Sequence, residues 1–491
     1  MTKLTKRMPV MGMALRAALA VAISAATVSG IAMAQAGTSL SFENPPRILV
    51  GLTRVASVTL SSASPIVLRG TTAPVSPLPP VTVPAGTEVT LSIAGSNVSW
   101  GFTPRGGATQ VGQSSGPVLL GAPPEGPTPV INVSRAQGAA AGISGRSYRG
   151  CMVAIPSAGT ILLANAVDIE DYVKSTVGAE IPDGWHLECQ KAQAVAVRSY
   201  AAYKVGLTKG GTFDDWDSRY CSLTEADVRL WATDQVYRGV EEENPLSVEA
   251  ATATRGVVLA YSSMPAATFY HSDAGGMTEE PPYVWAGGTA SPYLRSVVEV
   301  PHESPYSSWT VLLTPSEVAT GFKSLGIIPS SPPDIIAGRG PGVSGRWSGV
   351  SVETGSGPAT VSATQFRAAF PQVRSMLFSS YSFGGGKETR ALLSGGLTAY
   401  VQSDGQVAGV NLRDAAVIGG NGEMLRATGG VYATTGAVFD GPAAYALRGS
   451  GWGHGIGMSQ YGAKAMAESG VLAPAILSHY YPETAWEQWW Q

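Results

Sequence analysis

The segment from Arg448 to Gly462 has the spacing that points most directly to chemistry, because glycine occupies every second position in residues 449–457. We call these nine residues the glycine ladder. In an extended chain alternate residues point to opposite sides, so one side of the ladder has no side chains. Such a backbone can approach a ligand or another strand closely. The nearby polar residues His454, Ser459 and Gln460 favour a binding site over the simpler alternative of a tightly packed strand or bulge.

The serine and histidine residues raise the alternative of a serine hydrolase. A Gly-x-Ser-x-Gly string spans residues 112–116, but a nucleophile of that kind needs a strand that runs into a helix, and Pro117 follows directly. His271 with Ser272, and His454 with Ser459, also lack such a turn. A serine nucleophile is therefore the weakest of the catalytic hypotheses.

The clearest element for positioning polar side chains is a helix predicted from about Leu187 to Val205, which is rich in alanine and has no internal glycine or proline. Residues three or four apart share a side of a helix. One side thus carries Gln190, Gln193, Val197 and Tyr200, and a neighbouring strip carries Lys191, Val195 and Arg198. The helix either borders a site or is packed in the core with its polar groups satisfied.

Composition limits the class of protein. At 491 residues the chain is longer than one hydrophobic core usually serves. Charged residues make up 14%, against roughly 25% in ordinary globular domains, and the net charge of −3 gives no basic surface for nucleic acid. The 60 glycines and 34 prolines are typical of short strands joined by turns. We therefore expect a β-rich fold.

The N-terminus is typical of a signal peptide over residues 1–36. Basic residues at positions 3, 6 and 7 precede an apolar run from Ala17 to Ala34 that ends in small residues. We expect cleavage near Ala34 or Ala36, with an uncleaved membrane anchor as the alternative. In both cases the rest of the chain is exported, to the medium, the periplasm or the cell envelope.

Residues 37–146 are predicted to form a small β domain. Short β-branched runs, such as Arg47 to Leu52 and Val89 to Ile93, alternate there with proline-rich turns. Export permits disulfides, but Cys151, Cys189 and Cys221 allow at most one bridge, and the sequence alone leaves its connectivity open.

Several separated motifs, in one order, resemble the SpoIID/LytB family of peptidoglycan-acting sporulation and cell-wall proteins. The strongest is Glu180-Ile181-Pro182 followed by the helix from Leu187. The others are Gln235-Val236-Tyr237-Arg238-Gly239, Ala253-Thr254-Arg255-Gly256, Tyr270 to Glu279, Ser344-Gly345-Arg346, Phe366-Arg367, the glycine ladder and His479-Tyr480-Tyr481-Pro482. The resemblance covers roughly residues 147–484.

The resemblance implies a lytic transglycosylase that acts on peptide-stripped glycan strands, with Glu180 as the catalytic acid. A protonated carboxyl group in a partly apolar pocket suits proton delivery to a glycosidic oxygen, and Ile181, Pro182 and Trp185 are candidates for that pocket. A hydrolase usually needs a second carboxylate. In a transglycosylase the 6-hydroxyl of the muramic acid attacks instead, so one glutamate serves as acid and base.

The sequence leaves open whether a second carboxylate takes part in catalysis. Asp183, Asp273 and Glu279 all lie near the motifs, and Glu279 is the most plausible helper. The alternative is that Glu279 pairs with Arg198 or Arg255, or caps a turn.

The resemblance also suggests which residues bind the glycan, with the glycine ladder as the second wall of a cleft. The candidates are Gln193, Arg198, Tyr200, His271, Ser272, Glu279, His454, Ser459, Gln460, Tyr480 and Tyr481. Tyrosines stack on sugar rings and donate hydrogen bonds, but plain core packing is an equal alternative for Tyr480 and Tyr481.

We expect no metal and no cofactor. Some family members hold zinc through histidine and cysteine between the helix and the Gln-Val-Tyr motif, but here residues 206–236 contain only Cys221 of those types. Cys189 stands where the family usually has alanine. That position suggests a Cys189–Cys221 bridge, which would leave Cys151 as the free thiol.

The expected fold is α+β: a β-rich, two-lobed SpoIID-like core with one long helix beside the catalytic site. Its parts would be the core at residues 147–300, an inserted β-rich lobe at 301–446 and a returning C-terminal segment at 447–491. The expected partners are peptidoglycan glycan strands and a cell-wall amidase. The main alternative to an enzyme is a glycan-binding enhancer of such an amidase.

Overall fold

A computed structural model describes the chain from residue 44, apart from residues 73–75, 123–125, 139–141, 209–219, 331–334 and 383–389, and those of 393–444 outside five short strands. The predicted signal peptide lies outside the described residues. Within them, no helix is long and apolar enough to span a membrane.

Strands dominate the chain up to residue 168. They are β1 Arg47–Val55, β2 Ser57–Ser62, β3 Ile66–Arg69, β4 Thr71–Thr72, β5 Ser76–Pro77, β6 Val81–Val83, β7 Val89–Ala94, β8 Asn97–Phe102, β9 Gln110–Ser114, β10 Val118–Gly121, β11 Val130–Gln137, β12 Arg146–Arg149, β13 Cys151–Ser157 and β14 Thr160–Asp168. Strands β1 and β7 confirm the two β-branched runs predicted from the sequence.

Helices and short strands alternate in the remainder. The helices are α1 Ile169–Glu180, α2 Leu187–Val205, α3 Pro245–Ala253, α4 Pro281–Val284, α5 Pro315–Ser324, α6 Ala363–Ala369, α7 Gln460–Glu468 and α8 Ala473–Tyr480. The strands are β15 Leu230–Trp231, β16 Val257–Tyr261, β17 Met264–Pro265, β18 Tyr270–His271, β19 Trp309–Leu313, β20 Ile335–Pro341, β21 Trp347–Val352, β22 Ala359–Ser362, β23 Phe378–Ser382, β24 Arg390–Leu392, β25 Thr398–Ser403, β26 Gln406–Asn411, β27 Ala416–Ile418, β28 Met424–Arg426, β29 Tyr432–Ala433, β30 Tyr445–Gly449, β31 Met458–Ser459 and β32 Ala485–Gln488. The presence of both helices and strands agrees with the α+β fold expected from the sequence.

The first sheet joins strands from both sides of the predicted domain boundary at residue 146. Its strand order is β15-β1-β14-β13-β10-β3-β6. Strand β1 pairs antiparallel with β14 along its whole length, from Arg47 opposite Asp168 to Val55 opposite Ile161. The second sheet, β12-β11-β2-β7-β8-β9, also contains β12 at the boundary. Residues 37–146 therefore share their sheets with the predicted core instead of forming a β domain with sheets of its own.

The first sheet is buried on both faces. On β1, Ile48 and Val50 belong to the main hydrophobic cluster, which also contains most of α2. The intervening Leu49 belongs to a smaller cluster with Val153 of β13. A strand that is covered on both faces needs apolar residues in succession, which accounts for the continuous apolar sequence of β13 and β14.

Helix α2 lies in the centre of the fold and confirms the predicted bounds. His186 accepts a hydrogen bond from the Glu188 amide at its start, and Gly206 ends it with a φ of 74°. Thirteen of its residues are buried, on all sides of the helix. Short alanine side chains let α1, α3, α7 and α8 approach it closely.

The C-terminal segment returns to the region of residues 257–271. Strand β31 pairs in parallel with β18, and β32 pairs antiparallel with β16. The sequence predicts a short helix from Ala463 to Glu468. Helix α7 begins three residues earlier, at Gln460, because the Ser459 hydroxyl caps it through the Gly462 amide.

A second hydrophobic cluster lies within residues 309–378 and 445–447 and includes Phe322, Phe366 and Trp347. Helices α5 and α6 pack there and confirm the helices that the sequence predicts near Pro315 to Leu325 and near Ala363 to Ala369. Each begins with a capping box, at Thr314 and Ser362 respectively. The chain from Leu40 onward forms one contact unit, so the division into two lobes stays a prediction.

Candidate active site

A cavity of about 500 Å³ opens at the C-terminal end of α1, and we call it the Glu180 cavity. Its wall combines α1, the 234–238 loop, β18 and the C-terminal segment. The lining residues are Ala179, Glu180, Tyr200, Asp234, Gln235, Val236, Arg238, Phe269, Tyr270, His271, Ser272, Trp452, His454 and Gln460. Four of the motifs that carry the resemblance thus meet around one cavity: the Glu180 motif with its helix, the 235–239 motif, the 270–279 motif and the glycine ladder.

Glu180 is the last residue of α1 and is held by two donors. Its Oε1 accepts from the Val236 amide at 2.7 Å and from the Tyr270 hydroxyl at 2.9 Å. Neither bond uses Oε2. The Gln460 amide nitrogen also reaches the Glu180 backbone carbonyl at 3.4 Å, which ties the glycine-rich segment to the end of α1.

A chain of hydrogen bonds fixes the orientation of Tyr270. The buried Tyr172 hydroxyl donates to Gln235 Oε1 at 2.9 Å, and Gln235 Nε2 donates to the Tyr270 oxygen at 3.0 Å. Because that oxygen accepts from Gln235, its proton is directed to Glu180. The four side chains form a network with a single direction, which preorganises the carboxyl group.

Burial raises the pKa of Glu180, while the bonds from Val236 and Tyr270 oppose that rise. No lysine or arginine forms a salt bridge with Glu180 among the described residues. A carboxyl group with a raised pKa keeps its proton to higher pH, which is what a general acid requires. Glu180 therefore has the position and the electrostatics of an acid catalyst.

A second carboxylate lines the cavity, but it is not one of those expected from the sequence. Asp234 accepts from the Trp231 amide at 2.8 Å and forms a salt bridge with Lys204 at 3.2 Å. Asp183, Asp273 and Glu279 are not among the lining residues. Asp234 thus replaces Glu279 as the candidate helper.

Glu279 is fully buried and organises a loop. It accepts from the Val343 amide at 3.1 Å, the Ser344 amide at 3.0 Å and the Ser344 hydroxyl at 2.6 Å. The expectation that Glu279 binds substrate is wrong for this structure, and so is its pairing with Arg198 or Arg255. Its oxygens are used by loop backbone.

Two predicted substrate-binding residues of α2 lie in the core instead. Arg198 is fully buried and forms a two-pronged salt bridge with Glu170, with distances of 3.0 and 2.7 Å. Gln193 is 1% exposed and does not line the cavity. Since α2 is covered on all sides, only Tyr200 reaches the Glu180 cavity, as predicted. The packed-helix alternative describes most of α2.

His271 and His454 line the cavity, as expected, with ring centroids 5.4 Å apart. Burial lowers the pKa of His454 to about 3 and that of His271 well below its usual value. The neutral His454 accepts from the Ile456 amide at 3.0 Å, and His271 Nδ1 donates to the Ile456 carbonyl at 3.1 Å. Neutral imidazoles fixed by backbone suit binding better than proton transfer.

The serines give no nucleophile. Ser272 lines the cavity, whereas Ser459 is buried as the cap of α7. Among the described residues, neither hydroxyl hydrogen-bonds to a histidine. This arrangement disfavours the serine hydrolase hypothesis. Gln460 does line the cavity, as expected.

Tyr480 and Tyr481 are fully buried and do not reach the cavity. Tyr481 donates to the Phe269 carbonyl at 2.7 Å and accepts from the Met458 amide at 3.3 Å. The core-packing alternative is therefore correct for both. Their contribution is to support β18 and β31 from behind.

The bare side of the glycine ladder faces protein, not a ligand. A Cβ at Gly453 would lie 2.6 Å from the His271 Cβ, and one at Gly455 would lie 2.6 Å from Arg346 Nε. The glycines at 451, 453, 455 and 457 have φ values of 75°, 119°, 86° and 69°, so the ladder is not a regular strand. Of the two original explanations, close approach to other protein segments holds.

Sequence reasoning missed the two groups that hold Glu180, the Tyr270 hydroxyl and the Val236 amide, together with Gln235. All three lie inside the quoted motifs, so position in a motif was the available signal. Other tyrosines were among the candidates, but the Tyr270 hydroxyl was overlooked. A backbone amide has no signature in sequence.

The expected Cys189–Cys221 bridge does not form. Cys189 is in the main hydrophobic cluster, whereas Cys221 packs against the smaller cluster with Cys151. One group could hold a metal: ligand atoms of Asp273, Glu299 and His302 lie within 4.8 Å of one another. Asp273 is already engaged by the Gly275 amide, the Ser304 hydroxyl and His302.

Residues 157–261 match the model of the stage II sporulation protein family, SpoIID. The chain thus contains a segment that is similar to the SpoIID family. The matched SpoIID segment contains α1, α2 and the 234–238 loop. It therefore includes Glu180 and Val236, whereas Tyr270 and the glycine ladder lie beyond it.

Curated relatives extend the similarity. The amidase enhancer of Bacillus subtilis (strain 168) is 30% identical over 320 residues, which cover 64% of this chain and 40% of that protein. An uncharacterised protein of Brachyspira hyodysenteriae is 31% identical over 176 residues, 36% of this chain and 44% of its own length. Stage II sporulation protein D of B. subtilis is 25% identical over 328 residues, 65% of this chain and 74% of its own. The chain thus matches less than half the length of the first two relatives.

Proposed function

We propose that this chain cleaves the glycan strands of peptidoglycan between MurNAc and GlcNAc, as a lytic transglycosylase with Glu180 as acid and base. The observation that carries the proposal is the Glu180 carboxyl group at the cavity wall, with a raised pKa and with Oε1 fixed by Val236 and Tyr270. The similarity of residues 157–261 to the SpoIID family supports it. The exported location expected from the N-terminus is part of the same proposal.

The reaction needs one proton in each direction. The protonated Glu180 gives its proton to the glycosidic oxygen as the bond from C1 of MurNAc breaks. The carboxylate then removes the proton from the 6-hydroxyl, whose oxygen bonds to C1 and closes a 1,6-anhydro ring. Glu180 ends as it began, so no second carboxylate is required.

The neutral His271 and His454 and the Ser272 hydroxyl are placed to bind sugar hydroxyl or acetamido groups. His271 Nε2 has no hydrogen-bond partner within the described structure. Because its Nδ1 donates to a backbone carbonyl, Nε2 is an acceptor in the neutral ring. We infer that it accepts from a hydroxyl or amide of the glycan.

A second candidate function is enhancement of a cell-wall amidase without cleavage, and the B. subtilis relative named amidase enhancer favours it. Such a protein would hold glycan in the same cavity and would contact the amidase. The hydrogen-bond network behind Glu180 favours catalysis, because binding alone does not require a preorganised carboxyl group.

The test is digestion of peptide-free glycan strands by the full chain, Glu180→Gln and Asp234→Asn, with products identified by mass spectrometry. We expect products with 1,6-anhydro ends from the full chain and from Asp234→Asn, and no products from Glu180→Gln. If the full chain releases products with reducing ends and neither variant does, the reaction is hydrolysis that uses two carboxylates. Binding by all three proteins without cleavage by any would leave the enhancer function.

A further inference from the structure

A second cavity, of about 240 Å³, shares His454 with the Glu180 cavity and is otherwise built from different residues. Its wall includes Trp285, Trp347, Arg346 and Arg367, and we call it the arginine cavity. Because one imidazole borders both spaces, they are about one side chain apart. His454 is therefore part of the wall of both cavities.

The arginine cavity is lined by two arginines. The carboxylates of Glu279, Glu299 and Asp273 lie close enough to Arg346 to raise its pKa, but none of the three lines the cavity. Among its described lining residues there is no aspartate or glutamate. Arg346 is 1% exposed, and its guanidinium donates to the carbonyls of Met277 and Ala274 and to the Ser344 hydroxyl, all of them uncharged. Burial lowers the pKa of Arg346 to about 10, so it stays a cation at neutral pH.

Arg367 is the cation available to a ligand. Its Nε–H is buried and has no hydrogen-bond partner, and no salt bridge to Arg367 occurs within the described structure. Arg367 begins the last turn of α6 and is partly exposed to the cavity. A buried, unpaired N–H group of a cation costs free energy that an anionic ligand would recover.

The size and walls of the cavity restrict the anion. The indole rings of Trp285 and Trp347 and the Met376 side chain supply apolar surface, and the Thr364 hydroxyl is a further polar group. The space suits a carboxylate on a short apolar arm. Muramic acid has such a group, a lactyl ether on its ring whose carboxylate is free only when no peptide is attached.

We propose that the arginine cavity binds the free lactyl carboxylate of the glycan substrate, with Arg367 as its principal ligand and Arg346 as the supporting charge. This inference rests on the proposed function. A peptide on the lactyl group would remove the negative charge and add bulk at the cavity. The preference for peptide-free strands is already implied by the family resemblance, and the new element is Arg367 as the residue that determines it.

The test measures binding to the full chain carrying Glu180→Gln, which prevents turnover. Three ligands are compared: peptide-free strands with lactyl carboxylates, the same strands with those carboxylates converted to methyl amides, and chitin oligosaccharides, which lack the lactyl group. We expect the carboxylate strands to bind about tenfold more tightly than the amides. Equal affinity for these two would overturn the proposal without any arginine variant.

The added variants are Arg367→Gln and Arg367→Lys. Arg367→Gln should weaken binding of the carboxylate strands about tenfold and leave the amide strands and chitin unchanged. Arg367→Lys, which keeps the charge, should recover part of the affinity. An equal loss for all three ligands would make Arg367 a structural residue and refute the assignment.

The outcomes separate this proposal from the catalytic one. If the wild-type chain releases no products but still binds carboxylate strands more tightly than amide strands, the catalytic function is refuted and the role of the arginine cavity is supported. If the wild-type chain cleaves carboxylate strands and amide strands at equal rates, the catalytic function is supported and the role of the arginine cavity is refuted.

Discussion

Two glutamates on helix α1 have opposite environments. Glu170, in the first turn, is 2% exposed and receives bonds from Arg198, the Gly256 amide and the Trp490 indole. Glu180, at the last residue, receives one amide and one tyrosine hydroxyl and has no salt bridge among the described residues. Both side chains come from the same short helix.

The difference shows how one residue type gains a structural or a chemical role. Burial alone would raise the pKa of Glu170, but the Arg198 cation lowers it below its usual value. Burial also raises the pKa of Glu180, and there the neutral donors Val236, Tyr270 and Gln460, with the Arg238 charge as the last contribution, only moderate the rise. A carboxylate with a cation is fixed as an anion, whereas one with neutral partners can exchange a proton.

Exchanging each glutamate for glutamine gives the largest expected contrast. Glu180→Gln should lower the rate of glycan cleavage by about 10³-fold and change the free energy of unfolding little, because glutamine still accepts from Val236 and Tyr270. Glu170→Gln should lower the free energy of unfolding and change the rate of glycan cleavage little. Single-turnover digestion and urea unfolding of both variants measure the contrast, and loss of cleavage without loss of stability in Glu170→Gln would contradict it.

Removing the cation tests the structural half of the comparison. Arg198→Met leaves Glu170 buried without its partner and should lower the free energy of unfolding by about 3–5 kcal/mol. The double variant Glu170→Gln/Arg198→Met should recover part of that loss, because no unpaired charge remains. Additive losses in the double variant would show that the pair itself contributes little.

Removing one neutral donor tests the chemical half. Tyr270→Phe deletes a bond that favours the Glu180 carboxylate, so the pKa of Glu180 should rise further. The basic limb of the kcat/KM profile should then move to higher pH, with a loss of about three- to tenfold at the optimum. Tyr172→Phe, which is one step further from Glu180, is the matched control with a smaller shift. A shift to lower pH would refute the assignment of Glu180 as the acid.

We expect the smallest effect on stability from the pair formed by His302 and Asp273. His302 lies 3.6 Å from Asp273, whose hydrogen bond raises the pKa of His302 to about 9. Stability from this pair is fully present below the unfolded histidine pKa, about 6.5, and is lost as pH rises through 9. Urea unfolding between pH 6 and pH 10 should show this loss in the wild type and not in His302→Gln.

The sequence was sufficient where local chemistry decides the structure. The bounds of α2 follow from an alanine-rich run without internal glycine or proline, and the helices predicted near Pro315 and Ala363 are present as α5 and α6. The position of Glu180 at the cavity followed from its motif. In these cases the determining residues lie within a few positions of each other.

The failures involve partners that are distant in the sequence. Arg198 looked like a ligand on an amphipathic helix because Glu170 and Trp490 cannot be recognised as its neighbours from spacing. The β domain predicted for residues 37–146 failed for the same reason, since β1 pairs with β14. Glu279 was misjudged because its partners are backbone amides, which every sequence contains.

The contact between Trp490 and Glu170 has a consequence for the order of folding. The indole of Trp490 is fully buried and bonds to the carboxylate at the start of α1. Until Trp490 has been synthesised, the Glu170 carboxylate lacks one of its donors. Contacts of such long separation slow folding. This part of the core is therefore completed only when a residue 320 positions after Glu170 is available.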